Sequence, residues 1–162
     1  MSYNILENLT KDQEPLWVEI PYEFKTVLGA SQVRVLVSLN ALKEDNSIVF
    51  KPYEEDRLMK EQSKKYLKKV LSNEFEMGAV ELRFLMRLFD IKQSKLSRAL
   101  GVSEAAVSLQ LSGENKISTQ IQHSLAVYFI LEACGSPVVT ALSNLSKGDD
   151  DGYFERIEKL IA

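Results

Sequence analysis

The sequence predicts an α+β fold, mainly α, in which a small antiparallel β-sheet unit leads through a linking helix into a bundle of short helices. Three observations predict it. Val33-Arg34-Val35-Leu36-Val37-Ser38-Leu39 is rich in β-branched residues, as strands are. Pro52 closes that pattern, and from Glu54 to Leu71 the apolar residues recur at helical spacing instead. Between Leu82 and Ser118, short apolar-periodic segments are punctuated by Gly101 and Gly113.

Residues 1–15 are polar and end at Pro15, with Ile5, Leu6 and Leu9 as one amphipathic turn or a docked arm. Leu16-Trp17-Val18-Glu19-Ile20 reads as a short strand stopped by Pro21. Tyr22 to Leu28 reads as a helical turn closed by Gly29. Val33 to Leu39 is the main strand. The turn residues Glu44-Asp45-Asn46-Ser47 lead back into Ile48-Val49-Phe50, which predicts a hairpin. The linking helix places Leu58, Met59, Gln62, Tyr66, Leu67 and Val70 near one face. Its other face carries Lys60, Lys64, Lys65, Lys68 and Lys69. That stripe is either a basic arm near a polyanion or a solvated face balanced by Glu54, Glu55, Asp56 and Glu61.

Ser72-Asn73 marks a boundary, so the predicted domains are 1–72, 73–135 and 136–162. A helix near Ala79 to Phe89 supplies Phe84, Leu85, Leu88 and Phe89 to a core. Arg83 and Arg87 share a face four residues apart, able to reach phosphates or to pair with Glu81 and Asp90. Gln93 to Leu100 and Glu104 to Leu111 form two short helices crossing steeply at a tight turn. Gly101 suits the left-handed residue that ends the first, and Ser103 suits the cap of the second. Leu96, Leu100, Val102, Val107 and Leu111 converge on one interior, leaving Glu104, Ala105, Ala106, Ser108 and Leu109 outward. Such a slim outer face fits a DNA major groove. A further helix runs from Ser118 or Thr119 to about Ala133, more apolar than one buried stripe requires. Val138 to Leu145 reads as a short helix, Lys147 to Gly152 as an exposed linker, and Tyr153 to Ile161 as a tail helix too short to stand alone.

The ordered set Gln93, Leu96, Leu100, Gly101, Val102, Ser103, Val107, Ser108 and Gly113 resembles the helix-turn-helix of the phage-repressor/Cro (Xre-like) family. The resemblance covers roughly 60 residues, a small domain. It implies a lambda-repressor-like bundle and a dimeric, sequence-specific DNA-binding transcription repressor with half-sites about one helical turn apart. It places Gln93, Ser103, Glu104, Ala105, Ala106, Ser108, Leu109, Ser112, Asn115 and Lys116 at the DNA, with Arg83, Arg87 and Lys92 as possible phosphate contacts. Many relatives have Arg-Trp-Glu between the Ser and the closing Gly, where this chain has Leu109-Gln110-Leu111-Ser112. Glu104 can accept from a cytosine amino group or simply favour its own helix dipole, and Ala105, Ala106 and Leu109 can touch thymine methyls.

Charge and composition narrow the function further. The chain of 162 residues has 45% hydrophobic and 27% charged residues, as soluble domains do. Net charge is −3, yet residues 79–118 hold 6 basic and 4 acidic side chains while the segments on either side are acidic. A single cysteine, Cys134, and a single histidine, His123, offer neither a disulfide nor a metal cluster. With no Gly-rich phosphate loop and no nucleophile–base pair, neither an enzyme nor a cofactor is expected. No secretory signal or membrane span is read, so the expected compartment is the cytoplasm. Two other roles stay open. One is an antitoxin that binds a toxin protein and autoregulates its operon. Some antitoxins are similar in layout, though this chain lacks the zinc-binding cysteines of one type. The other is a protein-interaction module whose helix-turn-helix no longer binds DNA.

Overall fold

A computed structural model describes residues 16–133. The readings for the N-terminal arm, for Cys134 and for everything after it lie outside the described residues. The elements are β1 (Trp17–Thr26), β2 (Gly29–Ser38), α1 (Leu39–Asp45), α2 (Glu54–Leu71), α3 (Ala79–Leu88), α4 (Gln93–Leu100), α5 (Glu104–Ser112) and α6 (Thr119–Ala133). The fold among the described residues is therefore α+β and mostly helical, with six helices and one two-stranded antiparallel sheet. Its contacts divide it into two units: residues 16–24 with 31–58, and residues 25–30 with 59–133.

The first unit corrects the reading of its strands. β1 is not stopped by Pro21 but runs through it to Thr26. A two-stranded sheet leaves each strand one unpaired edge, where a missing N–H costs no ladder bond. Tyr22 to Leu28 is accordingly strand followed by a two-residue turn, Val27-Leu28, not a helical turn. Gly29 has a φ of +124° and opens β2 from a conformation that side chains other than glycine's rarely adopt. β2 pairs with β1 in the sheet, and only its end also meets the segment around Phe50, through Ser38 N–H to Val49 O and Lys51 N–H to Leu36 O, both at 2.8 Å. Glu44 to Asn46, read as a hairpin turn, is the end of helix α1. Ser38 caps that helix by accepting from Ala41 N–H at 3.4 Å, and Asn46 closes it in the left-handed region at φ +57°. Hydrogen bonds from Ser47 hold the Asp45 carboxyl below its ordinary range. Of the expected second strand, only Phe50 bridges to Val37. Phe24, Val35, Val37 and Leu58 are buried in this unit, and Tyr22 meets Phe50 edge to face at 5.3 Å.

The second unit takes up α2 from Met59 onward; the bounds of that helix coincide with the helical spacing. Gln62, Ser63, Tyr66, Leu67 and Val70 face inward. The Gln62 amide donates to Gly29 O at 2.9 Å and accepts from Thr26 Oγ1 at 2.5 Å. Tyr66 donates to Glu76 O at 3.0 Å, and burial raises its pKa well above the ordinary tyrosine value. The acids Glu54, Glu55 and Asp56 stand at the N-terminus of α2, and Lys68 and Lys69 at its C-terminus, complementing the helix dipole. Lys69 also lies over the Phe75 ring at 4.6 Å.

The core of this unit runs from Leu67 and Val70 through Met77, Leu82, Leu85, Ile91, Leu96, Val107 and Ile117 to α6. Every residue from Leu125 to Leu131 is buried, so α6 is covered all round rather than along one stripe. The buried Gln122 amide ties the loops together. It accepts from Met77 N–H and donates to Ile117 O, both at 2.8 Å.

Candidate nucleic-acid interface

α4 and α5 are joined by three residues whose conformations follow from their chemistry. Gly101 ends α4 at φ +66°, in the left-handed region open to glycine. Val102 N–H donates back to Ser97 O at 3.1 Å. Ser103 then caps α5, its hydroxyl accepting from Ala106 N–H at 3.1 Å. At the far end Gly113 takes φ +82° and donates to Gln110 O at 3.3 Å, while Asn115 N–H reaches Leu109 O at 3.1 Å.

Only Val107 and Gln110 of α5 are buried. Glu104, Ala105, Ser108, Leu109 and Ser112 are exposed and Ala106 is half-buried, an outer face of small side chains with Leu109 the largest. Glu104 is the single charged residue of α5. The Gln110 side-chain oxygen is buried without a hydrogen-bond partner.

The polar residues predicted at the site divide by what already holds them. The Gln93 amide donates to Glu104 O at 2.6 Å, so the start of α4 grips the start of α5. Arg83 pairs with neither Glu81 nor Asp90; its guanidinium donates to Leu111 O, at the end of α5. Ser112 donates to Leu109 O at 3.0 Å and accepts from Glu114 N–H at 3.3 Å. Lys116 lies 3.3 Å from Glu76, with both side chains more than 70% solvent-accessible at 78% and 75%. Arg87 and Lys92 are exposed, and their side chains make no hydrogen bond or ion pair among the described residues.

Two cations escaped the sequence reading. Lys95 and Arg98 follow Lys92 at three-residue intervals on α4, and all three are exposed. That spacing was the available signal, since residues three apart share a helix face. Lys95 bonds Glu132 at 3.0 Å, which raises its pKa, whereas Arg98 has no such partner among the described residues. Beneath this pair the Tyr128 hydroxyl is buried, and burial raises its pKa. Glu132 and Lys95 are close to that hydroxyl but not in hydrogen-bonding geometry with it.

His123 hydrogen-bonds the Asn73 side chain at 2.9 Å. Among the described residues no three His, Cys, Asp or Glu side chains cluster to hold a metal ion. No helix among them is long and apolar enough to cross a membrane. Set against models of known protein families, curated proteins and solved structures, the chain matches none of them.

Proposed function

We propose that this chain is a sequence-specific DNA-binding transcription regulator of the phage-repressor/Cro type. In this reading α4 and α5 are its helix-turn-helix, and it acts as a homodimeric repressor. α5 enters the major groove, and the exposed cations Arg87, Lys92 and Arg98 face phosphates. The observation that carries the reading is the outer face of α5. Glu104, Ala105 and Ser108 stand in solvent while Val107 anchors the helix from behind. A short, thin-faced helix capped at both ends has the dimensions the groove admits. With no Arg or Lys on α5, direct readout rests on Glu104 and on apolar contact with thymine methyls. DNA deformability and half-site spacing then carry much of the specificity.

The experiment is selection of duplexes from a random pool by the purified chain, followed by binding measurements across salt. Salt-sensitive binding to an enriched duplex is expected. Ser108→Glu, at an exposed position, is expected to abolish it while leaving the melting temperature unchanged. Failure to enrich any duplex, or unimpaired binding by Ser108→Glu, sinks the proposal. The lack of any cation on α5 favours one rival, a protein-interaction module built on the same helices. That rival predicts no enrichment.

A further inference from the structure

We infer that Arg83 is a positioning residue, which locks the C-terminal end of α5 against α3, rather than a phosphate contact. The inference rests on the proposed function for what α5 reads. The contact itself stands independently of it. α5 has nine residues, far short of the length that holds a helix together in isolation. It fully buries only Val107 and Gln110, with Leu111 half-buried against the same core, so most of its surface is left unpacked. Contacts at its two ends therefore share in setting its pose. The N-terminal end is served by the Ser103 cap and by the Gln93 amide on Glu104 O.

The other end is the harder one. The last carbonyls of a helix lack partners within it and carry its negative dipole end. The last turn of α5 contains no basic residue of its own. Gly113 N–H serves Gln110 O, Asn115 N–H serves Leu109 O, and Arg83 from α3 serves Leu111 O. Arg83 is thus the cation that the helix lacks, delivered by a neighbouring helix. The Gly113 side of the same junction is close as well, since a Cβ built there would sit 3.7 Å from that of Ala79. Arg87, one turn along α3, has no such commitment among the described residues and remains for a phosphate.

Arg83→Gln and Arg83→Lys in the full chain test this with two readouts. The first is amide hydrogen exchange followed by NMR. In Arg83→Gln the Gly113 and Asn115 amides are expected to exchange about tenfold faster. The Ala106 amide, held by Ser103, is the internal control and should not change. Arg83→Lys, which keeps the charge, should recover part of the protection. The second readout is duplex affinity across a salt series. Arg83→Gln is expected to weaken binding about tenfold with an unchanged salt slope, because no phosphate contact is lost. A slope shallower by about 0.9 per protomer, or about 1.8 for the dimer, with unchanged exchange makes Arg83 a phosphate contact and overturns the inference. Unchanged exchange and affinity overturn it too. If the wild-type chain binds no duplex, the proposed function fails while the exchange arm still decides the role of Arg83.

Discussion

α5 and α6 are successive helices, both apolar in composition, and the fold treats them in opposite ways. α6 buries Gln122 and every residue from Leu125 to Leu131, whereas α5 buries two residues of nine. α6 is secured by the area it removes from water. α5 is secured at its ends, by the Ser103 hydroxyl, the Gln93 amide, the Arg83 guanidinium and a left-handed Gly113. A helix held by its ends keeps its flank free, and a free flank is what a binding surface needs. The contrast teaches that α5's small side chains are not a weak core but an outer face that the core has no use for.

If that contrast is right, the largest effect belongs to α6. Phe129 is fully buried against Phe89 at 5.8 Å and Tyr128 at 5.6 Å. Phe129→Ala should destabilise the fold by about 4 kcal/mol, measured by urea unfolding. A loss under about 1 kcal/mol would mean that α6 is not the scaffold described here. The corresponding change on α5 is smaller. Ser103→Ala removes one cap and should cost about 1 kcal/mol, with Ser103→Thr largely restoring it. Equal losses at Phe129 and Ser103 would erase the distinction between a helix held by burial and one held by its ends.

The same distinction explains what could be read from the sequence. Helix bounds were legible where the determinants are local. The apolar spacing of α2, the Gly101-Val102-Ser103 junction and the start of α6 all lie within a few residues of the structure they specify. Strand pairing has no such local record. The partner of β2 is decided by register across the sheet, so the apolar run at Ile48 to Phe50 looked like a partner and contributes one bridge. Asp45 and Asn46 are as suitable for a helix end as for a hairpin turn, because both need a residue that tolerates the left-handed region. At the candidate interface the outward set on α5 followed from spacing. The partner of Arg83 did not. Glu81 and Asp90 were the obvious local acids, and a backbone carbonyl 28 residues away leaves no mark in the sequence.

A pH experiment sharpens the account of α6. The Tyr128 hydroxyl is buried without a hydrogen bond, so at neutral pH it is a cost rather than an anchor. Tyr128→Phe should therefore be neutral or stabilising by up to about 1 kcal/mol. Burial raises the Tyr128 pKa in the folded chain. The folded state then holds the proton more tightly than the unfolded one. Stability from this source is intact below the ordinary tyrosine value near pH 10 and is lost as pH rises through the folded pKa. Melting temperatures from about pH 8 to 11 should fall less steeply for Tyr128→Phe than for the parent. Tyr66, also raised, is common to both chains, whereas Lys95 is coupled to Tyr128, so the difference reads Tyr128 together with its neighbours Lys95 and Glu132. Parallel curves would show that the hydroxyl ionises alike in the folded and unfolded chains, and so is not held away from water.

The smallest stability effect should accompany a clear binding effect, and it falls just beyond α5. Lys116 and Glu76 are both mostly in water, where an ion pair adds little. Lys116→Ala should change folding stability by no more than about 0.5 kcal/mol. If the loop after Gly113 lies along a phosphate backbone, the same substitution should weaken duplex binding uniformly across sequences. The log–log salt slope should become shallower by about 0.9 for each lost contact, or twice that for a dimer. Arg83→Gln should leave that slope alone, so the two cations separate by slope even if they weaken binding equally. A Lys116→Ala chain that loses stability but keeps the slope would assign the loop to the fold, and the outer face of α5 would then have to find its partner without it.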